Sequence, residues 1–554
     1  MAGSDHVSKE TKNDVRVIID VSGSMKKNDP DNLRIPALKL LIGLLPQGTK
    51  AGVWTFGTKV RPLVKYGVVN EKWKKKAYKA AKKITSRDMF TDVENALSEV
   101  TKDWKQTRQD IKRNIIFLTD GMVDVSKDKS KTEASRQRIL DQILPDLQGK
   151  SVTVHAISLS ENADLEIMDA LAVGTDGSSE MVTRADQLQR VFLHMFEKST
   201  PRDTVPLEDN QFTIDKMIEE FTLLVFRNSD SKPTTLFPPE GNPFAYESRP
   251  KNAVWLKEQG YDLITIKHPV PGLWKIDADI DPDNRVMVVT KLKLHATELP
   301  NSLFKGETLD YKFWLTAAGK KIAKNAFYKL IDVELVQSSS GEIKEVWKME
   351  ERNGENEFVK TVGNTFEPGK VELKIIVDGK TFKRELKKTI DVYEKAFDTE
   401  IKAFDETTGK QAYVIHVIPD NDLIDLKTFK VTAHITAPDG LQSSLPGVVS
   451  MRGINWLITI KDPQPGQYKV DLEVKATTKS GRKLSLASDS LTVGEPVSQD
   501  AENGDESSKE EAVDWKTIGT YLAIFNTVLF ILIGGFWFLM KKRKSKPTDP
   551  GDDL

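Results

Sequence analysis

Val15–Met25, VRVIIDVSGSM, is an apolar run that ends in Asp20-Val21-Ser22-Gly23-Ser24. A strand of this kind delivers one carboxylate and two hydroxyls into a tight, glycine-containing turn, so three oxygen donors share one loop. Two later stretches add to them. Met89–Leu97, MFTDVENAL, offers a third hydroxyl, Thr91, just ahead of an amphipathic helix. Asn114–Gly121, NIIFLTDG, offers a second carboxylate, Asp120, at the end of another buried strand. Two carboxylates and three hydroxyls, with no nitrogen or sulfur donor, suit a hard divalent cation. The D-x-S-x-S spacing alone is weak, because Ser and Asp also cap helices, here the one expected at Leu33–Leu45. The order of the three elements, each at a strand end or ahead of a helix, is what points to a metal site.

The surrounding pattern supplies a frame for that site. Val15–Asp20, Ala51–Phe56, Asn114–Thr119 and Val152–Leu159 are short apolar runs of the kind buried in a parallel sheet. Leu33–Leu45, Glu71–Ile84, Asp92–Trp104 and Glu133–Leu147 read as helices between them. Val60–Val64 follows Ala51–Phe56 after only Gly57-Thr58-Lys59, too short for a crossover, so this strand is expected antiparallel. The expectation is a doubly wound α/β sheet with one antiparallel edge. Ligands of such sheets bind at the carboxyl ends of the strands, where Asp20 and Asp120 stand.

On these residues the first 200 positions resemble the von Willebrand factor A (VWA) family. Its metal-ion-dependent adhesion site reads D-x-S-x-S, then a distant Thr, then a strand-terminal Asp. Asp20, Ser22, Ser24, Thr91 and Asp120 match that pattern without a departure. The resemblance implies that Asp20, Ser22 and Ser24 hold Mg²⁺ or Mn²⁺ directly, while Thr91 and Asp120 coordinate directly or through water. It also implies an open position on the ion, completed by a Glu or Asp side chain of a partner protein.

With 554 residues the chain is too long for one core. Its 81 basic and 82 acidic residues nearly cancel, so no overall field points to nucleic acid. It has no cysteine, which excludes disulfides, thiolate metal sites and a cysteine nucleophile. His6, His155, His194, His268, His295, His416 and His434 lie far apart, without the paired spacing of zinc ligands.

Near Thr200 helical periodicity largely stops. Thr200–Pro206 reads as a linker, and an internal repeat follows. Leu263–Asp277, LITIKHPVPGLWKID, returns as Leu457–Asp471, LITIKDPQPGQYKVD, with a fainter copy at Phe366–Leu373. Pro271, Pro368 and Pro465 are spaced 97 residues apart both times. Strand, Pro-Gly turn and strand is a hairpin signal. A period near 100 residues suits immunoglobulin-like sandwiches, here without the inter-sheet disulfide. Three all-β sandwiches are expected, at 206–292, 293–393 and 394–496.

Residues 497–516 are polar and mostly acidic and read as a flexible stalk. Thr517–Met540 carries no charge. As a helix its 24 residues extend about 36 Å, enough for a hydrocarbon core of about 30 Å. Trp515 and Trp537 lie near its ends, and Lys541-Lys-Arg-Lys544 follows. A transmembrane helix is expected, with residues 541–554 as a basic cytoplasmic tail and the bulk of the chain across the membrane, in a periplasmic setting. The polar tail 1–14 has no apolar core of a signal peptide, which conflicts with that topology. A late start codon, a processed chain or a tail-anchored protein facing the cytoplasm would reconcile the two.

The expected function is that of a membrane-anchored, metal-dependent protein-binding module, similar to membrane-anchored VWA proteins of bacteria. The alternatives are a structural or assembly factor of the cell envelope, or a cytoplasm-facing VWA partner of an AAA-type ATPase. Catalysis is not expected. A hydrolase needs a base near metal-bound water, and the one free candidate, Glu94, lies on the following helix and is expected to face solvent. Glu71–Ile84 carries seven lysines opposite Trp73, Ala77, Ala80 or Ala81, and Ile84. This helix is expected to lead to the Thr91 loop and to place Lys82, Lys83 and Arg87 near the rim.

Overall fold

The strand that carries Asp20, β1 (Lys12–Asp20), lies inside a six-stranded sheet in the computed structural model. That structure describes residues 12–495 except 106, 107, 109, 185, 186, 201, 229, 406–409, 451, 452 and 489. The other strands are β2 (Lys50–Phe56), β3 (Arg61–Val68), β4 (Ile111–Thr119), β5 (Val152–Ser158) and β6 (Ser179–Met181), in the order β3-β2-β1-β4-β5-β6. All neighbours are parallel except β2 and β3. The expected antiparallel edge is present.

Alternation along β1 sorts the core into two layers. Val15, Val17 and Ile19 join one cluster with α2 (Arg34–Leu44), α3 (Glu71–Ala81) and α8 (Leu188–Ser199). Ile18 joins the other, with Phe56, Phe117, α4 (Val93–Thr101), α6 (Leu144–Gly149) and α7 (Leu165–Gly174). The remaining helices are the short α1 (Met25–Asn28) and α5 (Lys129–Arg138). The helix expected at Glu133–Leu147 is not uniform: α5 passes into α6 through a π-helical turn, Ile139–Ile143. Pro145, which opens α6, has no N–H and crowds the carbonyl four residues back, so the helix widens ahead of it.

Beyond α8 the chain is all β among the described residues, apart from one short helix, Asn325–Tyr328. Thr200–Pro206, expected as a linker, contains Thr204–Val205 as a strand of a ten-stranded sheet. That sheet joins Ile218–Phe226 and Arg285–Thr290 on one side of Thr204–Val205 to Lys383–Tyr393 and Gly369–Asp378 on the other. It therefore runs through the boundary expected at residue 293. Arg384, fully buried, clasps the junction: it donates to Asp215 at 2.7 Å, to Thr290 at 2.8 Å and to the Leu292 carbonyl at 2.9 Å. Hydrophobic side chains still collect in three clusters, at 205–288, 292–392 and 396–493, the last also taking Phe304.

The Pro-Gly repeat is not a hairpin. Tyr261–Lys267 pairs within the ten-stranded sheet, whereas Gly272–Asp277 pairs with Gln211–Ile214 and Thr235–Phe237 in a separate sheet. The other two copies change sheets in the same way, between Phe358–Val362 and Gly369–Asp378 and between Trp456–Lys461 and Tyr468–Thr477. Each corner needs a left-handed residue, supplied by Gly272, Gly369 and Gly466 at φ of 137°, 116° and 126°. Two residues later Trp274, Val371 and Tyr468 are buried. Trp274 Nε1 donates back to the Val270 carbonyl at 2.9 Å, and the Gln464 N–H donates to the Tyr468 hydroxyl at 2.8 Å.

The α/β domain and the first β layer share a core. Leu224, Phe226, Tyr261, Leu263 and Met287 belong to the cluster of α2 and α8. Tyr261 donates to the Pro36 carbonyl at 3.0 Å, and a side chain at Gly43 would collide with Leu263. Among the described residues no helix is long and apolar enough to cross a membrane. The stalk 497–516, Thr517–Met540, the tail 541–554 and residues 1–11 lie outside the described residues.

Candidate metal centre

Asp20 ends β1 and Asp120 directly follows β4, so the parallel register brings both to the carboxyl edge of the sheet. Asp20 is 0% exposed and Asp120 1%. The backbone turns at once: the Ser22 N–H donates to Asp20 Oδ1 at 2.7 Å, and Thr119 Oγ1 donates to Asp20 Oδ2 at 2.6 Å. Ser22 and Ser24 hydroxyls are 3.0 Å apart, and Ser24 donates to Asp120 Oδ1 at 2.9 Å. Ser22 Oγ lies 3.5 Å from the same oxygen. Asn28, at the end of α1, donates to Asp120 Oδ2 at 2.9 Å. Ser24 is exposed, so the cluster opens to the surface there.

The Thr91 loop is laid over the strand ends by backbone contacts. The Arg87 and Asp88 N–H groups donate to the Val21 carbonyl at 2.9 and 3.1 Å, and Thr91 forms a two-way bridge with Asp124 at 2.8 and 3.1 Å. The backbone at Arg87 thus reaches the loop that carries Ser22. A β-carbon placed on Gly121 would sit 3.4 Å from Thr91 Oγ1 and 3.8 Å from Ser24 Oγ, so both hydroxyls stand beside the residue after Asp120. Asp92 caps α4 by accepting from the Asn95 N–H at 3.0 Å, which fixes the loop's exit. All five residues named from sequence therefore gather at one edge of the sheet.

Three supporting residues carried no sequence signal of their own. Thr119 and Asn28 orient the two carboxylates. Arg34, fully buried, pairs with Asp29 at 2.7 Å and donates to the Asp20 carbonyl at 2.7 Å and to Ser86 Oγ at 2.8 Å. It ties the Asp20 turn to the loop that leads to Thr91. Glu94 does not face solvent as expected: it is half-buried and accepts from Arg138 at 2.7 and 2.8 Å and from Ser135 at 2.7 Å.

The electrostatics ask for a cation. Among the described residues neither the Asp20 nor the Asp120 carboxylate has a Lys, Arg or His nitrogen within 4.0 Å. Burial, and then the charge of Asp120, raise the Asp20 pKa to about 6, against the hydrogen bonds from Thr119 and Ser22. Buried carboxylates this poorly compensated are costly unless paired or bound to a metal. The donor set is all oxygen, as Mg²⁺ or Mn²⁺ prefers. Asp20, Ser22, Ser24, Thr91 and Asp120 fit the role of holding such an ion. Among the described residues no three His, Cys, Asp or Glu side chains form a further metal cluster.

The von Willebrand factor type A domain model matches residues 13–181. Among curated proteins nothing matches the chain. Solved structures similar to it include a von Willebrand factor type A protein from Catenulispora acidiphila, at 13% identity and a TM-score of 0.29, covering 56% of this chain and 64% of that one. Proximal thread matrix protein 1 from the mussel byssus, described with a zinc-occupied MIDAS motif, is similar at 17% identity and a TM-score of 0.28, covering 36% of this chain and 50% of that one. The pilus adhesin SpaC from Lactobacillus rhamnosus GG is similar at 10% identity and a TM-score of 0.27, covering 88% of this chain and 84% of that one. The chain thus spans less than two thirds of the first of these proteins and half of the second.

Proposed function

We propose, from the premise that residues 13–181 are a von Willebrand factor type A domain, that this chain is a membrane-anchored binding protein. It engages an acidic residue of a partner protein through a bound Mg²⁺ or Mn²⁺. The observation that carries this reading is the pair of buried carboxylates, Asp20 and Asp120, without a cationic side chain and ringed by the hydroxyls of Ser22, Ser24 and Thr91. Two carboxylates leave a divalent ion electrophilic toward an outside oxygen anion. Its binding is the chemistry the ion supplies.

The rim supports a protein ligand. Met89 and Met122 are 71% and 52% exposed and flank Thr91 and Asp120 in sequence, which gives adaptable apolar contact beside the ion. The engagement of Glu94 by Arg138 supports binding over hydrolysis, because it occupies the candidate base named from the sequence. The three corners, two of them with a buried aromatic bonded back to the turn, support an immunoglobulin-like reading of the β region as a spacer. The apolar, charge-free Thr517–Met540 and the basic cluster after it support an anchor with the bulk of the chain outside the cytoplasm.

The deciding experiment is a crosslinking pull-down from membranes, with and without a divalent chelator, using wild type and Asp120→Ala. Loss of the same captured protein with chelator and with Asp120→Ala is expected. Capture that withstands both would defeat the metal-dependent reading. Protease accessibility in spheroplasts tests the topology: protection of the α/β domain until lysis would place it in the cytoplasm.

A further inference from the structure

At the amino end of β1, away from Asp20, a cavity of about 1260 Å³ lies between the α/β domain and the first β layer. Lys12 and Asn13 line it there. One wall is apolar, with Leu45, Tyr78, Trp255, Leu256 and Leu263. Cations and carboxylates also line the cavity. Arg202 has no carboxylate within 4.0 Å among the described residues, and its guanidinium makes one long hydrogen bond, Nη1 to the Leu44 carbonyl at 3.4 Å. Glu220 and Asp203 act on it only at longer range, and Asp203 already accepts from the Leu294 N–H at 3.1 Å. Lys74 donates to the Gly43 carbonyl at 2.7 Å. At the mouth, Lys267 is paired with Glu71 at 3.2 Å.

Two cations in one partly apolar cavity, neither with a carboxylate within 4.0 Å among the described residues, form an unfavourable arrangement that an anion would relieve. Burial, followed by the charge of Arg202, lowers the Lys74 pKa to about 8, against the charges of Glu71 and Glu220. We propose that this cavity binds a small organic anion, its carboxylate or phosphate held by Arg202 and Lys74 and its apolar part against Leu45, Leu256 and Trp255. Arg202 suits the role because a planar guanidinium can grip either acid group through two parallel hydrogen bonds. The site is separate from the metal centre and does not depend on it.

The test is calorimetric titration of the full chain with phenyl phosphate, benzoate and phenol. At least one anion is expected to bind while phenol does not, and the preferred anion identifies the acid group. Arg202→Gln should weaken binding about tenfold or more, the loss of one charge-assisted contact. Lys74→Gln provides a second variant should Arg202→Gln fail to fold, as judged by circular dichroism. The proposal is overturned if neither anion binds at millimolar concentration or if phenol binds as well as the anions. It is also overturned if the folded variants bind as wild type does.

Discussion

Arg34 and Asp20 are joined through the backbone: the buried guanidinium donates to the Asp20 carbonyl at 2.7 Å and leaves its carboxylate free for other partners. The same group holds Asp29 and Ser86, so one side chain sets the turn after β1 and the loop before Thr91. Arg34 pairs with Asp29 and lies within 4.0 Å of neither site carboxylate.

Arg34→Ala should therefore destabilise the α/β domain by about 3–5 kcal/mol, because it strands Asp29 in the interior. Urea unfolding measures it. A loss below about 1 kcal/mol would mean that the loops hold their positions without Arg34.

Asp120→Asn should abolish Mn²⁺ binding while leaving the metal-free protein as stable as wild type, within about 1 kcal/mol, or more so. The reason is that the carboxylate is buried without a cationic partner. Calorimetry and thermal unfolding in chelator together decide it. Unchanged Mn²⁺ affinity in both Asp120→Asn and Asp20→Ala would remove the site assignment.

At the corners, Gly272→Ala forces a φ of 137° on a residue with a β-carbon and brings that carbon 2.8 Å from Pro239. A cost of about 1–3 kcal/mol is expected. Tyr468→Phe leaves the Gln464 N–H without its acceptor and should cost about 1 kcal/mol. Denaturant midpoints for the two variants check both; no change in either would mean the corner is only a connection.

Limited proteolysis should leave the chain up to residue 393 as one fragment, because the ten-stranded sheet runs through Thr204–Val205 and Arg384 crosses the position near 293. Residues 394–496, with a cluster that is their own apart from Phe304, should be released as a folded β unit. Early cleavage near 293 would show that the sheet junction opens readily.

Lys388 donates to Asn301 at 2.6 Å, and burial, then Lys112, lower its pKa to about 7. Lys198, Asp176 and Glu298 also act on it. Its folded pKa lies below the ordinary 10.5, so the unfolded chain holds this proton more tightly. The stability contribution of Lys388 is thus least favourable below pH 7 and rises from there to about pH 10.5. Lys388→Met should flatten that rise in unfolding midpoint measured against pH. Parallel profiles for the two proteins would exclude it.

Much of the α/β domain was legible because its signals are local. Apolar runs of strand length, a short Gly-Thr-Lys connection and two strand-terminal aspartates set the sheet, its antiparallel edge and the five candidate ligands. The repeat at Pro271, Pro368 and Pro465 was legible as a period, but its geometry was misread, since a Pro-Gly turn bends the chain alike whether the next strand joins the same sheet or the other.

Sequence by itself determined that Asp20, Ser22 and Ser24 share one turn, that Thr91 and Asp120 stand at element ends, and that residues 517–540 form one uncharged apolar stretch. Those facts follow from spacing along the chain. Only the tertiary structure decided that Arg34, Asn28 and Thr119 orient the site and that Glu94 belongs to Arg138. It also decided that the first two β clusters share a sheet and that Arg202 and Lys74 line one cavity. These are pairings between residues tens to hundreds of positions apart, and they depend on shape and burial, which no local pattern records.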